Sequence, residues 1–210
     1  MQKKANKRKS EEKRLEKFYI DVFCEANSEE ARQLHGRRVV LRDNITSQRD
    51  LEKNERYKTN RKKKNQVYLD SAASDSRSIP SHTAEAFYIS YPDEEREPTL
   101  GLVSTVSVDP PMLNWIYMDK NTFELRYGNR TQSREHLVGP WDWTEDQVGV
   151  TVQDIEGFVA VEEEEGVWAV YFDARGDELK WRVGGKKKVV EISLERRLLN
   201  PKEEKQGEEG

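Results

Sequence analysis

The sequence predicts a mainly β protein, an antiparallel meander that closes into a barrel or packs as a sandwich, with one short helix and disordered charged tails. Three observations predict it. From residue 86 to 195, short apolar segments follow one another with polar or Gly-containing turns between them. In the last of these, Val190, Ile192 and Leu194 alternate with Glu191, Ser193 and Glu195, the period of a strand with one buried and one wet face. Val183-Gly184-Gly185-Lys186 places two glycines where a tight hairpin requires positive φ.

The elements follow in order. Residues 1–17 are dominated by Lys, Arg and Glu and cannot bury enough apolar area to offset their ordering, which predicts a basic flexible tail. FYIDVFCE (18–25) fits both a helical stripe and a strand alternation; its aromatic and β-branched content decides for strand. SEEARQLHG predicts the one short helix, with Ser28 as N-cap and Gly36 just past its end. RRVVLRD (37–43) and QVYLD (66–70) are two hairpin strands separated by a polar insertion at 46–65 that ends in NRKKKN. A Ser-rich segment broken by Pro80 makes 71–85 a second insertion. The meander then runs AFYISYP, LGLVSTVSV, LNWIYMD, FELRYG, VGVTV, GFVAVE, VWAVYFD, ELKWRV and KVVEISLE. The single β domain spans 18–199, and 200–210 is an acidic disordered tail.

An internal echo lies within the meander. Tyr117-x-Asp119 followed by Glu124-Leu125-Arg126-Tyr127 recurs 54 residues later as Tyr171-x-Asp173 and Glu178-Leu179-Lys180-Trp181. Both copies have the form strand, polar turn, strand, which supports the β assignment more than any function.

Composition bounds the function. Of 210 residues, 36% are charged and 34% apolar, so much of the chain lies outside any core. Residues 1–70 carry a net +8 and residues 71–210 a net −12, a basic arm on an acidic body. Cys24 is the only cysteine, which excludes an internal disulfide framework and fits a reducing compartment. No apolar run reaches the roughly 18 residues of a membrane span, and no apolar stretch follows the basic start. The expectation is an intracellular protein, cytoplasmic and/or nuclear, and the sequons at Asn44 and Asn129 are chance matches.

Catalytic patterns are missing. His35, His82 and His136 have no spacing that places two on one face as metal ligands, and there is no nucleophile elbow or phosphate-cradling glycine loop. A lone Cys24 in an apolar strand is inert core far more often than a nucleophile. The run Glu162 to Glu165 lacks the interleaved ligands of a metal loop and fits a solvated hairpin end. The expectation is no cofactor, no metal site and no catalytic residue.

The remaining candidates are aromatic and cationic. Trp141 and Trp143 in GPWDWT share one strand face, either as a ligand platform or as core, and Arg126, Tyr127 and Arg130 approach them through RTQSREHLVG. An arginine over a tryptophan face would then cap the core or cradle an anion. Trp141, beside Pro140, is expected to be the buried member, and Trp143, beside Thr144-Glu145-Asp146, the more exposed. A single Trp-Asp pair without a 40-residue period excludes a propeller.

The segments NWIYMDKNTFELRYGNRTQSREHLVGPWDWT and EGFVAVEEEEGVWAVYFD resemble a family of small uncharacterised proteins of filamentous fungi, over roughly residues 86–199. The resemblance implies a fungal origin and a stable β domain and carries no catalytic residue across. Two function classes follow. The first is a non-enzymatic binding or scaffold module for a protein partner, with nucleic acid disfavoured by the acidic body and no membrane association. The alternative is a small enzyme or small-ligand binder with a pocket at one end of the β domain. A filled apolar interior favours the first, and a polar, aromatic-lined interior the second.

Overall fold

The computed structural model describes residues 10–42, 65–70, 81–108, 111–179 and 187–199. Thirteen strands are named in this part of the chain: β1 Phe18–Phe23, β2 Val39–Arg42, β3 Gln66–Leu69, β4 His82–Thr83, β5 Glu85–Ser90, β6 Leu100–Val108, β7 Pro111–Met118, β8 Leu125–Gly128, β9 Trp141–Trp143, β10 Val150–Val152, β11 Phe158–Glu164, β12 Val167–Phe172 and β13 Val189–Leu198. Two short helices accompany them, α1 Glu29–Leu34 and α2 Arg130–Ser133, and a further helical turn lies at 10–14.

Of the two architectures the alternation allows, the chain forms a barrel. Antiparallel pairing runs β12-β11-β13-β1-β5-β6-β7-β8-β3, and β3 returns to β12 through Tyr68 opposite Ala169. These nine strands close a ring, so only the appended β2 and β4 and the separate β9–β10 pair extend beyond it. From β5 to β8 the neighbours are consecutive, as a meander requires. The ring closes elsewhere through β13, which pairs with β1 from Phe18 opposite Leu198 to Phe23 opposite Ser193 and with β11 on its other edge. Hairpin spacing cannot reveal a partnership between the two ends of the domain.

Strand alternation fills the interior. Phe18, Ile20 and Val22 of β1 point inward, joined by Tyr88, Leu102, Ile116, Phe158, Phe172, Ile192 and Leu194 in one apolar cluster. Several strands are buried on both faces. Ala169 and Tyr171 of β12 sit in a second cluster with Val40, Tyr68, Val159 and Val161, and a third joins Tyr91, Val103, Trp115, Tyr117 and Val138. The β9–β10 pair seats Trp141 in the main cluster, where its ring stacks on Phe158 at 6.2 Å between centroids.

Local chemistry sets the expected helix. The Ser28 hydroxyl accepts from the Ala31 N–H at 3.0 Å, Ala31 and Leu34 are buried, and Gly36 leaves the helix at φ 78°. A second helix, α2, was not expected. It is held by a capping box between Asn129 and Gln132.

Four expectations change. Residues 10–17 are not free tail, because Arg14 bonds Asp142 and the Lys17 carbonyl accepts from the Leu199 N–H at 3.1 Å. Single-residue propensity could not show these long-range partners. The insertion placed at 71–85 ends earlier, since β4 begins at His82 and pairs with β2. The strand expected to open at Glu178 begins instead in a turn, with Glu178 and Leu179 at φ 56° and 54° and the Glu178 N–H donating to the Asp173 carboxylate at 2.7 Å. The helix count rises as described. The insertion at 46–64, residues 71–80, the hairpin at 183–186 and the tails at 1–9 and 200–210 lie outside the described residues.

Candidate functional site

An open cleft of about 520 Å³ lies where four segments meet. The end of β1 and the approach to α1 form one wall, the starts of β11 and β13 another, and the turn after β12 closes the side. Among the described residues, the charged side chains lining it are all acidic: Glu25, Glu156, Asp173, Glu178 and Glu191. Glu25, Glu156, Glu178 and Glu191 are exposed, whereas Asp173 is buried and holds the turn by accepting from the Arg175 and Glu178 N–H groups. Four exposed carboxylates over a concave surface present a negative potential.

Cys24 also lines this cleft, and its neighbour is His35. The His35 Nδ1 accepts from the Cys24 main-chain N–H at 3.4 Å, which commits that ring nitrogen to the backbone. Burial pushes the Cys24 thiol pKa up, against thiolate formation. Proximity of a cysteine and a histidine therefore gives no activated nucleophile here. Among the described residues, no group of three or more His, Cys, Asp and Glu side chains is placed to hold a metal ion.

The five residues singled out from the sequence separate into three places. Arg126 lies at the seam between β3 and β8, clamped by Asp119 at 2.7 Å and Glu124 at 2.6 Å. Tyr127 points into the core at 4% exposure. Arg130 opens α2 on the surface, and its carbonyl accepts from the Arg134 N–H at 2.9 Å, the Ser133 hydroxyl at 3.3 Å and the Tyr91 hydroxyl at 3.4 Å. Trp141 is fully buried and Trp143 partly exposed.

An arginine does lie over a tryptophan, but through different residues. The Arg196 and Arg14 guanidiniums sit 4.3 Å and 4.9 Å from the Trp143 ring centroid, and Tyr88 meets the same ring edge-on at 5.5 Å. Arg14 also grips Asp142 through both carboxylate oxygens, at 3.0 and 2.9 Å. Asp142 separates the two tryptophans in sequence, so the strand alternation that buries Trp141 delivers Asp142 to the opposite face. Sequence reasoning missed Arg14 and Arg196 because the first stood in a presumed tail and the second is more than 50 residues from Trp143.

The echoed turns meet in space. Asp119 accepts from the Asn121 and Thr122 N–H groups, and Asp173 from that of Arg175, so each aspartate binds the N–H two residues on. Glu124 of one copy bridges Tyr171 of the other through the backbone, and the Tyr171 hydroxyl reaches Glu124 Oε1 at 3.4 Å. Burial, reinforced by Glu163 and Glu124, pushes the pKa of nearby Tyr68 up to about 12.

A closed antiparallel barrel built from strand–turn–strand copies is matched by a family model, Fungal beta-trefoil domain, over residues 1–200. The chain belongs to this fungal beta-trefoil family. The match extends the fungal resemblance, first seen over 86–199, through the amino-terminal strands. A third copy becomes legible within the beta-trefoil frame: Tyr68-x-Asp70 ends β3 as Tyr117-x-Asp119 ends β7 and Tyr171-x-Asp173 ends β12. The tripeptide also occurs at 19–21 and 91–93, so strand position, not the letters alone, identifies the copies. No curated protein and no solved structure matches the chain.

Proposed function

We propose that this beta-trefoil domain is a non-enzymatic binding module that recognises a positively charged segment of a protein partner at the acid-lined cleft. The observation that carries the reading is the filled barrel interior. Aromatic and aliphatic side chains from every part of the ring occupy it, which leaves recognition to the outer surface. A small-ligand binder with its site inside the barrel would need polar groups converging there.

The cleft supplies the chemistry for such a surface. Glu25 and Glu191 both line it, from the neighbouring ends of β1 and β13, and a lysine- or arginine-bearing segment laid across them gains attraction to both exposed carboxylates. The same charge disfavours nucleic acid. A beta-trefoil domain fits a binding or scaffold role, and the charge of the cleft supports a cationic partner for it.

The test is titration of the full chain with a short oligolysine peptide, alongside proximity labelling in cells. The expected result is micromolar-range binding that weakens as salt rises through 0.15 M, about where exposed charges more than ~8 Å apart are screened. The Glu25→Lys/Glu191→Lys variant should lose both the peptide and the labelled partners. An unchanged partner set in that variant, with the fold intact by circular dichroism, refutes the assignment.

A further inference from the structure

We propose that Ser10 is a phosphorylation site for a kinase that reads basic residues ahead of its target, and that the modification frees the amino-terminal segment from Asp142. The inference is independent of the cleft. It rests on one guanidinium with two acceptors. Arg14 Nη1 donates to the Ser10 hydroxyl at 2.9 Å, while Nη2 holds the Asp142 carboxylate at 2.9 Å. The same group lies over Trp143. Arg14 is therefore the tie between Asp142 and the segment 10–17, which Lys13 on Gln147 and Lys17 on Glu85 and Leu199 also hold, and Ser10 touches Arg14 directly.

The sequence supplies the recognition. Lys7, Arg8 and Lys9 precede Ser10, a run of cations that a kinase with acidic substrate-binding groups recognises by charge complementarity. Ser10 is partly exposed and sits in a helical turn of only five residues. Helices so short are marginal and open at little cost to the extended form a kinase needs. Ser133 provides the contrast. Arg130 stands three residues ahead of it, yet Ser133 is fully buried and hydrogen-bonded to the Tyr91 hydroxyl at 2.9 Å. A basic residue upstream is thus combined with accessibility at Ser10 and not at Ser133.

In the reaction, the Ser10 Oγ attacks the γ-phosphorus of a nucleoside triphosphate. A new O–P bond forms, the bond to the β-phosphate oxygen breaks, the nucleoside diphosphate leaves and the hydroxyl proton passes to the kinase's base. The product carries a charge of roughly −1.5 to −2 at neutral pH in place of a neutral hydroxyl. It lies four residues from Arg14, within the same turn, and forms a charge-assisted bond with the guanidinium. Asp142 then competes with a second anion for Arg14, with Glu11 and Glu12 adding to the repulsion and Arg196, over the same Trp143 ring, the cation left near Asp142. The local, doubly charged acceptor keeps Arg14, and Asp142 loses it.

The experiment treats the full chain with ATP and a basophilic protein kinase, maps phosphate by mass spectrometry, and follows amide hydrogen exchange over 10–17. Phosphate at Ser10, absent from Ser10→Ala, with exchange across 10–17 accelerated at least about tenfold, is the expected result. Asp142→Asn supplies the second arm. Its segment is already loosened, so phosphorylation should add little further acceleration. Phosphate only at Thr59 or another site overturns the assignment of Ser10. Phosphate at Ser10 with exchange unchanged or slowed, or with full acceleration retained in Asp142→Asn, overturns the release.

Discussion

Replacing Trp141 and Trp143 one at a time tests the division of labour between two residues that the sequence presents as a pair. Trp141 is 0% exposed and stacks on Phe158 within the main core. Emptying so large a site costs about 3–5 kcal/mol through lost transfer energy and the cavity left behind. One term opposes this. The Trp141 indole nitrogen is buried without a hydrogen-bond partner, so truncation also removes a polar group that is costly to hold there. Trp141→Ala should therefore fall at about 3–4 kcal/mol, whereas Trp141→Phe keeps the ring, deletes the orphan N–H and should cost less than about 1.5 kcal/mol. Trp143 loses one edge-on pair with Tyr88, worth ~0.5–1.5 kcal/mol, and two partly exposed cation contacts of ~0.5–1 kcal/mol each. Trp143→Ala should come to about 2 kcal/mol. Urea unfolding followed by circular dichroism separates these values, because with a slope of ~2 kcal/mol/M the Trp141→Ala midpoint moves by roughly 1.5–2 M and the Trp143→Ala midpoint by roughly 1 M. A larger loss for Trp143→Ala than for Trp141→Ala refutes the argument, and so does a Trp141→Phe variant as damaged as Trp141→Ala.

Three further perturbations follow from the same geometry. Arg14→Ala removes a half-exposed ion pair and a ring contact, so unfolding should show a loss of about 0.5–1.5 kcal/mol that shrinks in high salt, with faster hydrogen exchange over 10–17. In Gly101→Ala the new Cβ would stand 2.5 Å from the Trp115 ring, which Tyr91 already holds edge-on at 4.6 Å; overpacking should cost about 1–3 kcal/mol by thermal or urea unfolding. Burial works to raise the pKa of Asp119, but the Asn121 N–H, the Arg126 guanidinium and the Thr122 N–H outweigh it and hold the carboxyl below its ordinary 3.8. A depressed folded-state value means stability present above that pH and lost as pH falls through the lower folded-state value, so Asp119→Asn should be less stable than wild type at pH 7, with the gap closing in unfolding curves taken below pH 3.8.

The second half of the barrel was legible because its strands obey local rules. Val190, Ile192 and Leu194 alternate cleanly, and Ile192 and Leu194 are buried in the interior as that alternation demands. The helix at 29–34 was legible for the same reason, since Ser28 and Gly36 act within one turn of its ends. What escaped depends on partners distant in sequence. Nothing near Phe18 announces Leu198 as its neighbour, and nothing near Trp143 announces Arg14 or Arg196. The acid-lined cleft was hidden in a different way. Glu25, Glu156, Glu178 and Glu191 are unremarkable one by one in an acidic chain, and only the ring closure gathers them around one concavity. The net −12 of residues 71–210 was the one available signal, and it carries sign but no position.

Closure of the ring also explains where this domain places its buried charge. β3 meets β8 at Gln66 opposite Arg126 and β12 at Tyr68 opposite Ala169, single contacts where β1 and β5 share two paired residues and the remaining ring joints four to six. A joint with so few ladder bonds needs other means to hold its register. Polar groups gather at this seam: Arg126 held by Asp119 and Glu124, Tyr171 on Glu124, and Tyr68 on Gln66 Oε1 at 2.8 Å. Such a network adds little net stability, because desolvation offsets much of the attraction, but any slip that separates its members leaves a charge buried and unpaired. Strand pairing therefore holds the long joints, and directional polar contacts hold the two single-pair joints at β3. On that basis the Asp119–Arg126–Glu124 cluster specifies closure of the barrel.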